Sequence, residues 1–452
     1  MTDLAIIVLA AGKGTRMKSA LPKVLHQAAG RSLLAHVLHV VKALTPTKTV
    51  VVSGPGVEEV TTETKATIPG AAIVIQKERL GTANAVAMAR PALTDFSGTI
   101  LVLYADAPLI QPETVKTLAA MVSAKNPLAV LGFESANPQG YGRLLQNAKG
   151  GVVAIREELD ASPKEKSITL CNSGILAIQS ALLWRLLPKI GKSNAKGEYY
   201  LTDLVGLLAN EGANVGLASC PESEVLGVND RVQLAAIEAH LQARLRRVHM
   251  LNGVTLTASE TVFFCADTAI GQDVTIGPHV VFGPGVTVAD NAEILAFSHI
   301  EGANIGTGAR IGPYARLRPG ADIGRDAHIG NFVEVKKAVI GEGAKANHLC
   351  YIGDAEVGAN TNIGAGTITC NYDGYEKHLT EIGENVFVGS NTAFIAPVKV
   401  NDGANIAAGS VITKEVPADS LAITRASLQI HDGWAAKYRE IKKARKAMKS
   451  KD

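Results

Sequence analysis

At 452 residues the chain exceeds what one hydrophobic core usually organises, so two domains are expected. Hydrophobic residues make up 47% and aromatics only 4%, with 44 glycines, which favours small aliphatic packing between many tight turns. The formal charge of +3 is uneven: residues 435–452 contribute +6 and leave the body near −3, which excludes a nucleic-acid-binding footprint.

The opening MTDLAIIVLAAGKG has an acid and no basic region before a short apolar run, so it reads as a buried strand and not as a signal peptide. No stretch approaches the roughly 18 apolar residues of a membrane span. Five cysteines (Cys171, Cys220, Cys265, Cys350, Cys370), without a C-x-x-C pair, fit a reducing compartment; a cytoplasmic chain is expected.

To about residue 230, apolar β-branched runs alternate with helical patterns. Strands are predicted at Leu4–Ala10, Thr49–Val52, Ala72–Ile75 and Thr99–Tyr104, and helices at Ser32–Ala43, Thr82–Arg90 and Pro112–Ala124. This order predicts an α/β, Rossmann-like domain with a mainly parallel sheet covered on both faces, whose ligands sit beyond the carboxyl ends of the strands.

At that edge lies Leu9-Ala10-Ala11-Gly12-Lys13-Gly14-Thr15-Arg16-Met17, where glycines let backbone amides approach a phosphate or base and Lys13 and Arg16 add charge. It lacks the second Gly-Lys-Ser/Thr of a Walker A loop, and alone it is equally a tight strand–helix turn. Lys23, behind Pro22, is either a solvated lysine or a cation for a transferring phosphoryl group. Asp106 follows the strand Thr99–Tyr104, where a metal would bridge phosphates, and Asn229 is either a helix cap or a second, neutral ligand.

Residues 231–250 carry Val232, Leu234, Ala235, Ile237, Leu241, Leu245 and Val248 at helical spacing and read as a connecting helix between domains 1–230 and 251–434. Beyond it an apolar position recurs every six residues in long runs, such as Ile305, Ile311, Leu317, Ile323, Ile329 and Val335. The position four later is small: Ala309, Ala315, Ala321, Ala327, Ala344, Cys350, Thr361, Ser410. Two inward positions per hexad, held through about twenty hexads, fit short strands stacked around a narrow three-sided prism. Between Thr369 and Ile382 the spacing is 13, so a loop is inserted there. Strand alternation leaves His348 either inward or at a corner, and the hexad pattern assigns it to the variable outer set. Arg318, Lys336, Tyr351 and the segment Asn371–Lys377 are polar groups able to hold a phosphate and sugar hydroxyls, although each alone is equally a surface side chain. The tail 435–452 reads as a solvated basic helix, with the 3′-phosphate of coenzyme A as an alternative contact.

The segments LAAGKGTRM, LPKVLH, Q-x-x-x-LGTA (Gln76–Ala83), YAD (Tyr104–Asp106), GYGR (Gly140–Arg143), NSGI (Asn172–Ile175), GEYYLTD and GVN, followed by the hexads, resemble the bacterial bifunctional N-acetylglucosamine-1-phosphate uridyltransferase/glucosamine-1-phosphate acetyltransferase family over nearly the whole chain. The resemblance implies a left-handed β-helix for the hexapeptide repeats. It implies that Leu9, Ala10, Gly12, Lys23, Gln76, Gly81, Thr82, Tyr104 and Asp106 hold the uridine nucleotide, with Arg16 and Lys23 catalytic. Asp106 and Asn229 would bind Mg²⁺, and Gly140, Glu157, Asn172 and Asn229 would surround N-acetylglucosamine 1-phosphate. In the second domain His348 would be the general base, with Arg318, Lys336, Tyr351, Asn362 and Lys377 on glucosamine 1-phosphate. Ala365, Asn371, Tyr372, Ser390, Ala408 and Arg425 would line the acetyl-CoA side. UTP and acetyl-CoA are the implied co-substrates, and a homotrimer built through the β-helix is the implied assembly. Ala105 stands where the family commonly has glycine, and Ala83-Asn84 where it commonly has Gly-His. Two readings compete: a nucleotidyltransferase of single activity whose β-helix serves only assembly or regulation, and a non-catalytic nucleotide-sensing scaffold, which Lys23, Asp106 and Asn229 together disfavour.

Overall fold

The structure, a computed structural model, describes residues 3–449, so the last three residues of the basic tail lie outside the described part. It divides into two units: the chain through Leu251 together with Phe263–Asp267, and Asn252–Val262 with the chain from Thr268 onward.

The first unit is built on nine strands: β1 (Leu4–Ala10), β2 (Lys48–Ser53), β3 (Ala72–Ile75), β4 (Thr99–Tyr104), β5 (Leu128–Glu134), β6 (Gly142–Gln146), β7 (Val152–Arg156), β8 (Leu170–Gln179) and β9 (Val215–Ser219). Their order is β9-β5-β8-β4-β1-β2-β3, with β6 and β7 as a hairpin beside β8. The β3-β2-β1-β4 segment is parallel as expected, whereas β8 runs antiparallel to both β4 and β5. Continuous apolar strands are explained by burial on both faces. Ile6 and Val8 pack with helix α1 (Leu33–Ala43), α2 (Glu58–Thr67) and α4 (Pro112–Ala120), while Ala5, Ile7 and Leu9 pack with α3 (Thr82–Met88), Ser180–Leu186 and Asp203–Asn210. Arg231–Leu251, the helix read as a connector, lays Ile237 and Leu241 against Met17, Leu33, Leu109 and Val228 of the first unit and leaves Val232 exposed.

The second unit is a left-handed parallel β-helix. Ile276, Ile294, Ile311, Ile329, Ala346, Ile363, Val388 and Ile406 pair in succession along one face, one coil apart each time. These residues are buried, as are the small partners four positions on, down to Thr361 and Ser410 at 0% exposure. A narrow prism admits no larger side chain there. The extra residues between Cys370 and Thr380 leave the wall as a loop closed by the Tyr372–Lys377 bridge and by His378 N–H donating to Asn371 O. Among the described residues no helix is long and apolar enough to cross a membrane. The exposed helix Trp434–Lys449 carries most of the basic tail.

Candidate functional site

In the first unit the carboxyl ends of β1 and β4 open into a cavity of about 230 Å³. Its walls include Leu9, Ala10, Gly12, Lys23, Gln76, Gly81, Thr82, Tyr104 and Asp106, so every residue expected on the nucleotide side meets there. The loop after β1 reaches it because Gly14 adopts φ +61°; a side chain at that position would meet Lys23 Cβ at 2.5 Å. Gly81, at φ +118°, lies against the backbone of Tyr199, so any side chain would collide with it. Tyr199 N donates to Leu80 O at 2.8 Å, Ala83 N to Tyr199 O at 3.0 Å and Leu201 N to Thr82 Oγ1 at 2.9 Å. These bonds pin the GEYYLTD segment onto the start of α3.

At the strand edge the Lys23 ammonium forms an ion pair with Asp106 and lies 3.5 Å from Asn229 Oδ1. Val228 N donates to Asp106 O at 2.9 Å, which ties the two oxygen-bearing segments together. A carboxylate and a neutral amide oxygen that converge on one cationic centre are the hard donors a magnesium ion uses, with phosphate and water oxygens completing its shell. Among the described residues no group of three or more His, Cys, Asp and Glu converges, so a metal at this edge would depend on ligand oxygens.

In the wall of this cavity Tyr104 is buried; burial, followed by the charges of Glu157 and Asp106, pushes its phenol well above the usual range. Glu157 accepts from Thr202 Oγ1 at 3.2 Å, and burial raises its carboxyl. Asn172 is buried opposite Gly142, whose missing side chain leaves room for Glu157. Gly140, at φ +88°, precedes that strand. Arg16 is brought to none of these groups: it is exposed in the 3₁₀ turn Thr15–Met17, outside the cavity wall. Arg79 and Glu198 line the cavity without having been expected; Arg79 Nε donates to Ala11 O at 2.5 Å. Ala105 is fully buried and its backbone is unstrained, so the methyl is absorbed by the core.

In the second unit Arg318 Nη1 donates to Glu334 Oε1 at 2.8 Å. Lys336 lies against Lys377 of the inserted loop, and the second ammonium, with Arg318 nearby, lowers the Lys336 proton affinity. Three cations held together, with Glu334 and Glu301 near Arg318 and Asp354 near Lys336, favour an anion among them. Tyr351 pairs with Glu334 across one coil, placing its ring in the same stack. Asn371 Nδ2 is bonded to Asp354, which anchors the loop.

His348 is exposed at the end of Lys345–His348, on a different face from the Arg318–Lys336 stack. Its Nδ1 is 2.7 Å from Asn331 Oδ1, one coil below. Ala365, Ser390 and Ala408 occupy the same place, two residues past the inward Ile363, Val388 and Ile406 that pair in succession. Asn391 N donates to Ala365 O, Gly409 N to Ser390 O, and the methylenes of Arg425 lie beside Gly409. His348, Ala365, Ser390, Ala408 and Arg425 therefore follow one edge of the prism. Asn362 lies one coil above Lys345 on the His348 face, and Tyr372 is exposed in the loop. Asn331 and Glu334, which orient His348 and Arg318, were not among the expected residues, although Asn331 could have been found 17 residues before His348, the length of a coil.

Residues 6–189 match the family described as the MobA-like NTP transferase domain. Residues 267–302, 302–337 and 379–414 match the bacterial transferase hexapeptide family. The chain is similar to the bifunctional protein GlmU of Paramagnetospirillum magneticum, at 54% identity over 450 residues and 99% of each chain. It is 53% identical to that of Azorhizobium caulinodans over 97% of each chain, and 54% identical to that of Rhodospirillum rubrum over 97% of this chain and 98% of the relative.

Proposed function

The chain belongs to the family of bifunctional GlmU proteins, and on that footing we propose that it catalyses acetyl transfer from acetyl-CoA to glucosamine 1-phosphate and then uridylyl transfer from UTP to the product, giving UDP-N-acetylglucosamine and pyrophosphate. The observation that carries this reading is that the polar groups fall into two separate constellations of suitable chemistry, one per unit.

For uridylyl transfer, the N-acetylglucosamine 1-phosphate oxygen attacks the α-phosphorus of UTP as the bond to the pyrophosphate oxygen breaks. No protein nucleophile is required, because in-line displacement is governed by positioning and charge. Lys23 supplies the cation beside the reacting phosphates, and Glu157, Asn172 and Gly140 hold the sugar. Mg²⁺, when bound by Asp106 and Asn229, would neutralise charge on the phosphate oxygens. Arg16 would join the phosphates only if its loop closes over the bound nucleotide.

For acetyl transfer, Arg318, Lys336 and Lys377 hold the phosphate and Tyr351 and Asn362 the sugar. His348, oriented by Asn331, accepts a proton from the amine as nitrogen attacks the thioester carbonyl and the coenzyme A thiol leaves. The edge through Ala365, Ser390, Ala408 and Arg425, with Asn371 and Tyr372 from the loop, would carry the acetyl-CoA. Because His348 and the phosphate-binding cations stand on different faces, the reading includes a trimer in which neighbouring β-helices complete each acetyl site. A cytoplasmic location suits these soluble substrates.

The test is the full chain with each substrate pair. Coenzyme A thiol release with glucosamine 1-phosphate, and pyrophosphate release with UTP and N-acetylglucosamine 1-phosphate, are both expected. Pyrophosphate release alone would favour the single-activity alternative.

A further inference from the structure

We propose that Asn84 is a positioning residue that sets which base the nucleotide cavity accepts, acting through the side-chain amide of Gln76. The inference rests on the uridylyl-transfer reading and adds a determinant of its base specificity. Gln76 is 4% exposed and lines the cavity at the end of β3. Its Nε2 donates to Gly81 O at 3.2 Å and to Asn84 Oδ1 at 2.8 Å. An amide nitrogen has two hydrogens, so both are used inside the protein.

The orientation of this amide follows from chemistry. A backbone carbonyl cannot donate, so only the nitrogen of Gln76 can face Gly81 O; Asn84 must then present its own oxygen to the second hydrogen. Oε1, an acceptor only, is the polar atom that Gln76 retains for a ligand. The ring N3 of uracil carries a hydrogen and can donate to it. The ring N3 of cytosine carries none, so an edge that meets Oε1 there sets acceptor against acceptor. Turned by half a rotation, the same amide would offer hydrogens and suit cytosine.

Gly81 O fixes the sense of the Gln76 amide, and Asn84 Oδ1, the shorter of the two contacts, takes the second hydrogen and holds the amide in that sense. Its own place is set by α3, whose start is fixed by Gly81 and by the bonds from Tyr199 and Leu201. The departure at this position therefore keeps an acceptor facing Gln76.

The experiment measures kcat/KM for UTP and for CTP with the full-length protein, Asn84→Ala and Asn84→Asp, with melting temperatures confirming the fold. Asn84→Ala is expected to shrink the preference for UTP by about tenfold, the scale of one hydrogen bond. Asn84→Asp keeps an oxygen at the same reach and should retain the preference. If Asn84→Ala does not fold, Asn84→Leu carries the same expectation. A folded variant without the acceptor but with the preference unchanged overturns the inference, as does its loss in Asn84→Asp. A wild-type chain that transfers from neither triphosphate overturns the uridylyl-transfer reading itself.

Discussion

The Lys23 ammonium contacts both the carboxylate of Asp106 and the amide oxygen of Asn229, so removing either oxygen changes both the proposed cation site and the placement of the lysine proposed to act on the phosphates. Asp106→Ala is expected to lower uridylyl transfer by about 10³-fold, the scale of lost transition-state charge stabilisation, and to leave acetyl transfer unchanged; pyrophosphate and thiol release measured on one preparation check both. A second residue bears on stability. Burial pushes His36 down to about 4, with Arg31, His39 and Arg244 adding to the effect, while its Nε2 lies 2.8 Å from Ala28 O. The unfolded chain thus binds an extra proton between the two pKa values, so stability is full above about 6.5 and is lost as pH falls toward 4, by on the order of 3 kcal/mol. Urea unfolding of the wild type and of His36→Gln at pH 7 and pH 5 should show a shallower loss in the variant; equal losses would remove His36 as the cause. Lys23, Asp106 and Gln76 were legible in the sequence because each sits at a strand end or in a quoted motif. Arg79 and Glu334 were not, because their positions are set by long-range packing that carries no local pattern.

Elements carry these residues to their places with different degrees of legibility. The six-residue period marked nearly every inward position of the β-helix, since a prism wall repeats its burial with each strand; Ile270, which also falls on the period near the starting end, is half-buried. The antiparallel β8 and the β6–β7 hairpin had no such signal, because short buried strands look alike in either direction. The inserted loop was legible as a break in spacing, and the structure explains its shape. The Asp373 carboxylate accepts from Glu376 N, Tyr375 N and His378 Nε2, which hold it well below the usual range and fold the loop on itself. Its two ends are already joined by the bond from His378 N to Asn371 O. Excising residues 372–378 would restore the regular spacing, and the shortened chain is expected to fold with uridylyl transfer intact and acetyl transfer lowered at least about 10²-fold, since Lys377 and Tyr372 are lost. Retained acetyl transfer would show that the loop is not part of that site.

At the scale of the whole molecule, two reactions are assigned to two units that share no site residue, the first unit bearing Lys23, Asp106 and Asn229 and the second Arg318, Lys336 and His348. The division was legible in the change from mixed strand and helix patterns to hexads. The return of Phe263–Asp267 to the first unit was not, because a five-residue excursion has no periodicity. If the sites are independent, a defect in one leaves the other working, and the acetylated sugar phosphate can pass between molecules through solution. The decisive measurement mixes purified Asp106→Ala with purified His348→Ala and supplies glucosamine 1-phosphate, acetyl-CoA, UTP and Mg²⁺. Neither variant alone should form UDP-N-acetylglucosamine at more than about a hundredth of the wild-type rate, and the mixture should form it readily. Two folded variants that remain inactive when combined, or either one that supports the full conversion alone, would contradict the account.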